Sequence, residues 1–235
     1  MQLERILQKH GFGTRKECRV LCRDGRVAVN GEPCDEPFAD IDCGALVLTV
    51  DGVDWPYAEF ATLMLHKPAG YECSRKPQHH PSVLSLLPLP LRARGVQPIG
   101  RLDEDTTGLL LITDDGHLNH MLSSARRKVP KIYLATTRYA VDQDLVEKLL
   151  AGVLLNDEPE PVAAAACEIV GPRELRLTLT SGKYHQVKRM VAAAGNRVEA
   201  LHREALGGLS LPDDLNVGEW RWLATVDLEK LGILR

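Results

Sequence analysis

The side chains best suited to chemistry lie in one stretch of this chain, residues 100–116. Five carboxylates flank an uncharged, mostly apolar run there: Asp103, Glu104, Asp105, Asp114 and Asp115. The run from Gly108 to Ile112 predicts a short buried strand, because it is continuous and bounded by turn residues. Acids at the end of a rigid strand can be aimed at a substrate, and Arg101 supplies a cation that favours an ionised carboxylate in a cleft. We therefore interpret the stretch as part of an active site.

Two other stretches combine turn geometry with reactive side chains. One runs from Lys128 to Tyr133 and follows two further cations, Arg126 and Arg127. The other is Ser181–Met190, where a predicted strand gives way to a predicted helix. The amides and cations at such a helix start form a natural site for an anion.

The elements that must position these stretches are short and mixed in type. Residues 77–90 are rich in proline and are predicted to form a loop. Strands are predicted at residues 62–70, 131–137, 165–170 and 175–180, and helices at 142–151, with Asp142 as N-cap, and 185–194. Because strands and helices follow one another without a regular βαβ rhythm, the sequence predicts an α+β domain with a mixed or antiparallel sheet.

Composition and length bound the class of protein. The chain has 235 residues, 44% hydrophobic and 26% charged, which is typical of a globular protein of one large domain or of a small and a medium one. No apolar run is long enough to span a membrane, and the start lacks a signal-peptide core, so we expect a cytoplasmic protein without membrane contact.

The six cysteines form no CxxC pair and fit no zinc pattern. We therefore expect free thiols and no metal site.

Charge is distributed unevenly along the chain. The formal net charge is −3, yet residues 1–26 hold seven Lys or Arg against three acids, and residues 183–203 hold five against one. Residues 27–60 hold eight acids and no Lys or Arg. Local basic patches matter more for phosphate binding than the total charge does, so a nucleic-acid partner stays compatible with the composition.

The N-terminal segment predicts a small unit of two helices and a hairpin. A capping box, Thr14 with Glu17, starts the second helix, and Asn30-Gly31 forms a hairpin turn. The second helix carries the cations Arg15, Lys16, Arg19 and Arg23, and Arg26 follows three residues later. A charge run of this kind is either a solvated helix face or a phosphate-binding surface, and its one-sidedness favours RNA or DNA contact. Residues 11–31 resemble the RNA-binding domain named after ribosomal protein S4.

Four motifs in order give the rest of the chain its resemblance. They are Leu65-His66-Lys67-Pro68-Ala69-Gly70, Gly-Arg-Leu-Asp at 100–103, Lys-x-Tyr at 131–133 and Gly-Lys-Tyr-His-Gln-Val-Lys-Arg-Met at 182–190. Together with the tail Leu201-His202-Arg203-Glu204 they resemble the pseudouridine synthases, most closely the group that modifies 16S ribosomal RNA. The resemblance implies an S4-like RNA-binding domain at about residues 1–58 and a catalytic domain at about 61–235.

The resemblance also implies roles for single residues. Asp103 would be the essential carboxylate, Tyr133 the active-site tyrosine that stacks on uracil, and Lys188 the basic partner of Asp103, with Lys183 as the alternative. Arg101 would fill the space left by the extracted uridine. Other substrate contacts are expected among His66, Lys67, Lys131, Lys183, Gln186 and Arg189. We expect the remaining four acids of residues 100–116 to be turn and loop residues, with Asp105 capping neighbouring amides, and His185 and His202 to be scaffold.

The implied reaction converts one uridine of 16S ribosomal RNA, uridine 516 in this group, to pseudouridine without a cofactor. The expected partner is that RNA or a small-subunit assembly intermediate, with no nucleotide cofactor, and the chain is expected to act as a monomer. Two alternatives remain from other classes. Asp103 and Asp105 could form a metal-binding pair in a nucleotide-sugar transferase, or the chain could be a non-catalytic RNA-binding assembly factor.

Overall fold

The computed structural model describes residues 1–232, and the regular elements below are those of this range. The α-helices are α1 (Leu3–Lys9), α2 (Arg15–Arg23), α3 (Leu89–Ala93), α4 (Gly116–Ser123), α5 (Gln143–Ala151), α6 (Gln186–Ala193) and α7 (Thr225–Lys230). The strands are β1 (Val27–Val29), β2 (Glu32–Pro33), β3 (Val47–Val50), β4 (Val53–Pro56), β5 (Thr62–Lys67), β6 (Gln97–Pro98), β7 (Thr107–Thr113), β8 (Lys131–Thr137), β9 (Ala166–Gly171), β10 (Glu174–Leu179), β11 (Val198–Leu206), β12 (Leu209–Ser210) and β13 (Trp220–Trp222). Short 3₁₀ helices lie at Val83–Leu86 and Ala125–Arg127.

The chain divides into two compact units. The first contains Met1–Ala61 and Leu87–Gln97, and the second contains Thr62–Leu86 and the described residues from Pro98 onward. The sequence predicts a single division at about residue 60. The compact units differ from this prediction in one segment, Leu87–Gln97, which belongs to the first unit. The domains as functional units remain a prediction.

The first unit consists of helices packed beside a four-stranded sheet of order β2-β1-β3-β4. The predicted capping box is confirmed: the backbone N–H of Glu17 donates to the hydroxyl of Thr14, and the Glu17 carboxylate accepts from the backbone N–H of Thr14. Asn30 and Gly31 both have positive φ, as the predicted hairpin turn requires. Local sequence signals thus account for most of this unit.

A mixed sheet of nine strands forms the second unit, with the main order β13-β5-β7-β11-β8-β10-β9. The predicted α+β class is confirmed. All pairs along this path are antiparallel except β7 with β11, which is parallel. Strand β7 lies inside the sheet between β5 and β11, and Leu109, Leu110, Leu111 and Ile112 are completely buried. A strand covered on both faces needs such a continuous apolar run.

The proline-rich segment and the acid pair after β7 are more structured than predicted. Residues 77–90, predicted as a loop, contain the 3₁₀ helix Val83–Leu86 and the start of α3. Asp114 and Asp115 were expected to form a simple turn. Instead, the carboxylate of Asp115 accepts hydrogen bonds from the amides of His117 and Leu118 and caps α4. The prediction missed α4 because Gly116 stands at its first position, where a turn is the more usual outcome.

Burial also defines the chemistry of the thiols. All six cysteines are free, and burial raises the pKa of both Cys18 and Cys22 to about 11. Thiols with so high a pKa carry little thiolate at neutral pH.

Within residues 1–232, no helix is long and apolar enough to cross a membrane.

The parallel pairing of β7 with β11 depends on a glycine. Gly108 has φ +106°, and a Cβ atom placed there would lie 2.3 Å from the carbonyl oxygen of Arg203. We predict that Gly108→Ala lowers the free energy of unfolding by about 3 kcal/mol or more, because steric overlap adds to backbone strain. Gly195→Ala is the matched control, since Gly195 has φ +101° with no atom within 4 Å, and it should cost about 1 kcal/mol. Urea denaturation measures both, and equal losses would contradict the steric argument.

Candidate active site

A cavity of about 170 Å³ in the second unit contains the side chains that the sequence singled out. Asp103 is the one acid that lines it among the described residues, and Tyr133 lies on its wall. Its cationic or potentially cationic lining residues are Arg101, Lys131, Lys183, His185 and Arg203. A second, more open cavity of about 440 Å³ shares Asp103 and adds Glu72, Cys73 and Tyr184. In the first cavity, positive groups thus surround one carboxylate, an arrangement suited to an anionic substrate.

The loop that carries Asp103 is fixed from beneath by Lys67. This residue ends β5, is completely buried, and donates from Nζ to the carbonyl oxygens of Pro68, Glu104 and Thr106 at 3.0, 3.1 and 2.8 Å. Two more hydrogen bonds hold the same loop, from Gly70 N to the Glu104 carbonyl and from Leu102 N to Cys73 Sγ. Burial lowers the pKa of Lys67. The loop is therefore anchored on both sides of Asp103.

Two groups of the α6 segment contact the carboxylate of Asp103. Lys188 Nζ lies 3.2 Å from Oδ2, and His185 Nε2 lies 3.3 Å from Oδ1. Lys188 also donates to both carboxylate oxygens of Asp105, at 2.6 and 2.9 Å. Burial by itself would lower the pKa of Lys188, but Asp105 and Asp103 more than offset this and raise it. Asp105 was expected to cap neighbouring amides. Its carboxylate pairs with Lys188 instead.

His185 adopts an unusual backbone conformation at the start of α6. Its φ is +45°, in the left-handed region that non-glycine residues rarely occupy. The imidazole stacks on the ring of Tyr184, with centroids 3.8 Å apart, while 71% of Tyr184 is exposed. Strain of this kind is retained where the surroundings fix it, often at functional sites. Here it directs the imidazole towards Asp103.

The wall of the cavity is built by β8 and β11. Tyr133 and Arg203 are directly opposed in the antiparallel register of these strands, and both side chains are buried. Arg203 Nε donates to the carbonyl oxygen of Leu109 at 2.8 Å. Lys131 lies two residues before Tyr133 and donates to the carbonyl oxygen of Val129. Burial, together with the nearby Arg203, lowers the pKa of Lys131.

Of the two lysines proposed as the partner of Asp103, the geometry brings only Lys188 to it. Lys183 lines the cavity, but its Nζ contacts Glu158 at 2.5 Å. Gln186 also lines the cavity, and its amide holds the preceding turn through Ser181 Oγ and the backbone N–H of Lys183. Arg189 lies outside both cavities among the described residues, where it pairs with Asp157 and donates to the Tyr184 carbonyl.

Two residues of β5 were expected to contact substrate and do not reach either cavity. Lys67 has no exposed surface, and its three donor protons are directed to carbonyl oxygens, so the prediction that it contacts substrate is wrong. His66 hydrogen-bonds through Nδ1 to the Leu215 carbonyl and lies edge-on to His202. The resemblance implied a substrate contact for both residues, but the end of β5 is covered.

The cations of α2 and its C-terminal flank differ in their availability. Arg19 pairs with Glu4, Arg26 makes a two-point contact with Asp51 at 2.6 and 2.7 Å, and Arg15 donates to the side chain of Gln8. Lys16 and Arg23 are exposed, and neither forms an ion pair with any residue in the range 1–232. Lys16, Arg23 and Arg15, whose partner Gln8 is uncharged, therefore carry the charge of this helix that no acid among the described residues neutralises.

The comparisons with known proteins agree with this arrangement. Residues 61–193 match the family model for RNA pseudouridylate synthase, and residues 1–37 match the model for the S4 domain. A Vibrio parahaemolyticus protein named ribosomal small subunit pseudouridine synthase A is 37% identical, over 98% of this chain and 99% of its own length. An Escherichia coli protein of the same name is 46% identical over 70% of this chain and 71% of its own. A crystal structure described as pseudouridylate synthase matches with a TM-score of 0.70 and 34% identity, covering 98% of this chain and 99% of that one.

The buried ammonium of Lys67 should control both stability and the Asp103 loop. We predict that Lys67→Met lowers the free energy of unfolding by about 2–4 kcal/mol, because three carbonyl oxygens lose their donor, which outweighs the relief of a desolvated charge. Lys131→Met is the control: its Nζ bonds one carbonyl, so its loss should stay below about 1.5 kcal/mol. Urea denaturation distinguishes the two, and a Lys67→Met protein as stable as the parent would contradict this role.

Proposed function

The chain belongs to the RNA pseudouridylate synthase family, and we propose that it isomerises one uridine of small-subunit ribosomal RNA, with Asp103 as the essential carboxylate and no cofactor. The single observation that carries the proposal is the placement of Asp103. It lies in a cavity beside Tyr133, held by Lys188 and His185. The names of the relatives support the small-subunit RNA as substrate, and uridine 516 is the site we propose.

The reaction breaks the N-glycosidic bond of a uridine, rotates the uracil and rejoins it to the ribose through C5. Asp103 acts at the sugar, as nucleophile or as base. In either role it must approach the ribose in a fixed orientation, and effective positioning lowers the barrier substantially. Lys188 and His185 each hold one oxygen of the carboxylate, and the loop is anchored through Lys67. These contacts supply the required orientation.

A uridine within folded RNA must leave its stack to enter the cavity, which costs a few kcal/mol. The ring of Tyr133 offers a stacking surface to the extracted uracil on the cavity wall. Arg101 is exposed at the rim of both cavities and, within residues 1–232, pairs with no carboxylate. Its guanidinium is therefore free to occupy the gap that the uridine leaves in the RNA. This assigns Arg101 to the RNA rather than to Asp103.

The rival reading, a metal-dependent nucleotide-sugar transferase, is disfavoured by Lys188. The ammonium lies between Asp103 and Asp105, where a divalent cation shared by the two carboxylates would have to lie. A lysine in this position supplies the positive charge itself. A non-catalytic assembly factor would not need a carboxylate held at the wall of a cavity by two separate partners.

The first unit provides an RNA-binding surface in the proposal. Lys16 and Arg23 offer unpaired charge on α2, which suits contact with phosphates. We propose that this surface binds structured ribosomal RNA, free or within an assembling small subunit, and that the chain acts as a monomer. Phosphate contacts of this kind position the RNA and carry little sequence information.

Removal of the charge on Asp103 should separate catalysis from binding. We predict that Asp103→Asn abolishes pseudouridine formation in a small-subunit RNA transcript, while the dissociation constant for that RNA changes less than about threefold, since one residue of a large interface is altered. Glu104→Gln is the control, because Glu104 is the neighbouring exposed acid of the loop, and it should keep turnover within a few-fold. Pseudouridine mapping and filter binding measure the two quantities. Full turnover by Asp103→Asn would refute the proposal.

Phosphate contacts by α2 should be visible in the salt dependence of binding. We predict that Lys16→Ala and Arg23→Ala each reduce the slope of log K against log salt by about 1. Arg26→Ala is the matched control, because its guanidinium is already neutralised by Asp51, and it should leave the slope nearly unchanged. Affinity titrations between low and moderate salt test this. An equal effect of Arg26→Ala would contradict the distinction between paired and unpaired cations.

A further inference from the structure

Two buried polar atoms on the wall of the catalytic cavity lack a partner. Arg203 is 2% exposed and Thr106 is 1% exposed, and both line the cavity that contains Asp103. Within residues 1–232, neither Nη2 of Arg203 nor Oγ1 of Thr106 has a hydrogen-bond partner. Buried polar groups are nearly always paired, so two orphans in one cavity indicate groups that await a ligand.

The strands that carry these two residues are neighbours in the sheet. Thr106 directly precedes β7, and Arg203 on β11 pairs with Gly108 of β7 in the parallel register. Arg203 is at the same time directly opposite Tyr133 on β8. The unpaired atoms therefore belong to the segments that flank the proposed stacking surface.

The side chain of Arg203 is held in place although its end is not bonded. Its Nε donates to the Leu109 carbonyl at 2.8 Å, which fixes the plane of the guanidinium. A merely structural arginine would be expected to use its remaining donors on protein acceptors as well. Nη2 does not, although burying an unpaired donor of a charged group is costly.

We propose that Arg203 and Thr106 recognise the uracil edge of the substrate, and that Arg203 stabilises the charge that uracil gains when the glycosidic bond breaks. Nη2 donates to a uracil carbonyl oxygen, O2 or O4, and Oγ1 of Thr106 accepts from N3–H, which lies between those two oxygens. This inference rests on the proposed function. Cytosine has no hydrogen on N3, so the same pair would discriminate against cytidine.

The charge balance of the reaction explains why a buried guanidinium is useful. When the N1–C1′ bond breaks, its electron pair leaves with the uracil, whether Asp103 acts as nucleophile or as base. The resulting negative charge spreads over N1, O2 and O4. When C5 then bonds to C1′, Asp103 leaves that carbon or returns the ribose proton that it had taken. The C5 proton is lost and N1 takes up a proton, so no oxidant or reductant is needed. A preorganised cation beside a carbonyl oxygen stabilises the charged stage.

The electrostatics of the cavity support this assignment. Lys131 also lines the cavity, and its pKa is lowered by burial and by the nearby Arg203. Two cations are therefore held close together without a carboxylate on either, among the described residues. Such a pair is unfavourable in the free protein and becomes favourable when an anion enters between or beside the two groups.

The test combines Arg203→Met with a change in the substrate. A small-subunit RNA transcript is prepared with uridine, 2-thiouridine or 4-thiouridine at the target position, because sulfur is the weaker acceptor. We expect Arg203→Met to lower kcat about 100-fold or more with little change in RNA affinity. We also expect one thio substitution to slow the parent enzyme, and that penalty to disappear in Arg203→Met. The sensitive position identifies the oxygen that Arg203 contacts.

Thr106→Val keeps the proposal testable if Arg203→Met does not fold. Valine has nearly the same shape and removes only an unpaired hydroxyl, so the free energy of unfolding should stay equal or rise. At the same time kcat/KM should fall about five- to tenfold. A merely structural threonine would show the opposite pattern, with loss of stability and unchanged turnover by the folded fraction.

Arg176→Met and Thr178→Val are controls from β10, since neither residue lines the cavity, and both should retain turnover. Parental kcat in Arg203→Met, an unchanged thio penalty in that variant, or parental kcat/KM in Thr106→Val would each overturn the inference. If the parent enzyme forms pseudouridine neither in the transcript nor in an assembling small subunit, the proposed function fails and the inference with it. Pseudouridine formed by the parent and by all variants at one rate refutes the inference alone.

Discussion

The geometry around Asp103 depends on one completely buried cation. Lys67 ends β5 inside the protein, and its ammonium collects three carbonyl oxygens, two of which belong to the loop around Asp103. The carbonyl oxygens of a loop without regular structure receive no hydrogen bonds from a neighbouring strand or helical turn. The ammonium of Lys67 donates hydrogen bonds to them and so fixes the loop against the end of β5. The carboxylate can then be oriented by Lys188 and His185 instead of by solvent.

Local signals in the sequence were sufficient for much of the fold. The capping box of Thr14 and Glu17, the N-cap of Asp142 and the apolar run of β7 each describe an interaction within a few residues, and all three are present. The choice of Asp103 as the reactive group also came from short motifs in order, and the geometry places it in the cavity as that choice requires. Features of this kind can be predicted from the sequence because the residues that interact lie within one short motif.

Features that depend on contacts between distant parts of the chain could not be predicted from the sequence. The resemblance implied that Lys67 contacts substrate, whereas two of its three acceptors lie nearly 40 residues away in the sequence. Lys183 and Lys188 could not be separated by spacing, and the choice is made by Glu158 and Asp105. Arg203 gave one usable signal. In the alternating pattern Leu201-x-Arg203-x-Ala205 its side chain points to the buried face of the strand. A charged residue at such a position has to find a buried partner. The contact of His185 with Asp103 gave no such signal, because it joins two segments that are far apart in the sequence.

Unpaired polar atoms in a protein interior lower stability, so their position needs a compensating source of stability nearby. The orphan atoms of Arg203 and Thr106 adjoin β7, whose four central side chains are completely buried. The apolar burial of this strand is large compared with the cost of one or two unsatisfied groups. A rigid, strongly stabilised strand can therefore carry groups that are satisfied only by a ligand. The same rigidity keeps those groups from turning to protein acceptors, and this preserves them for the substrate.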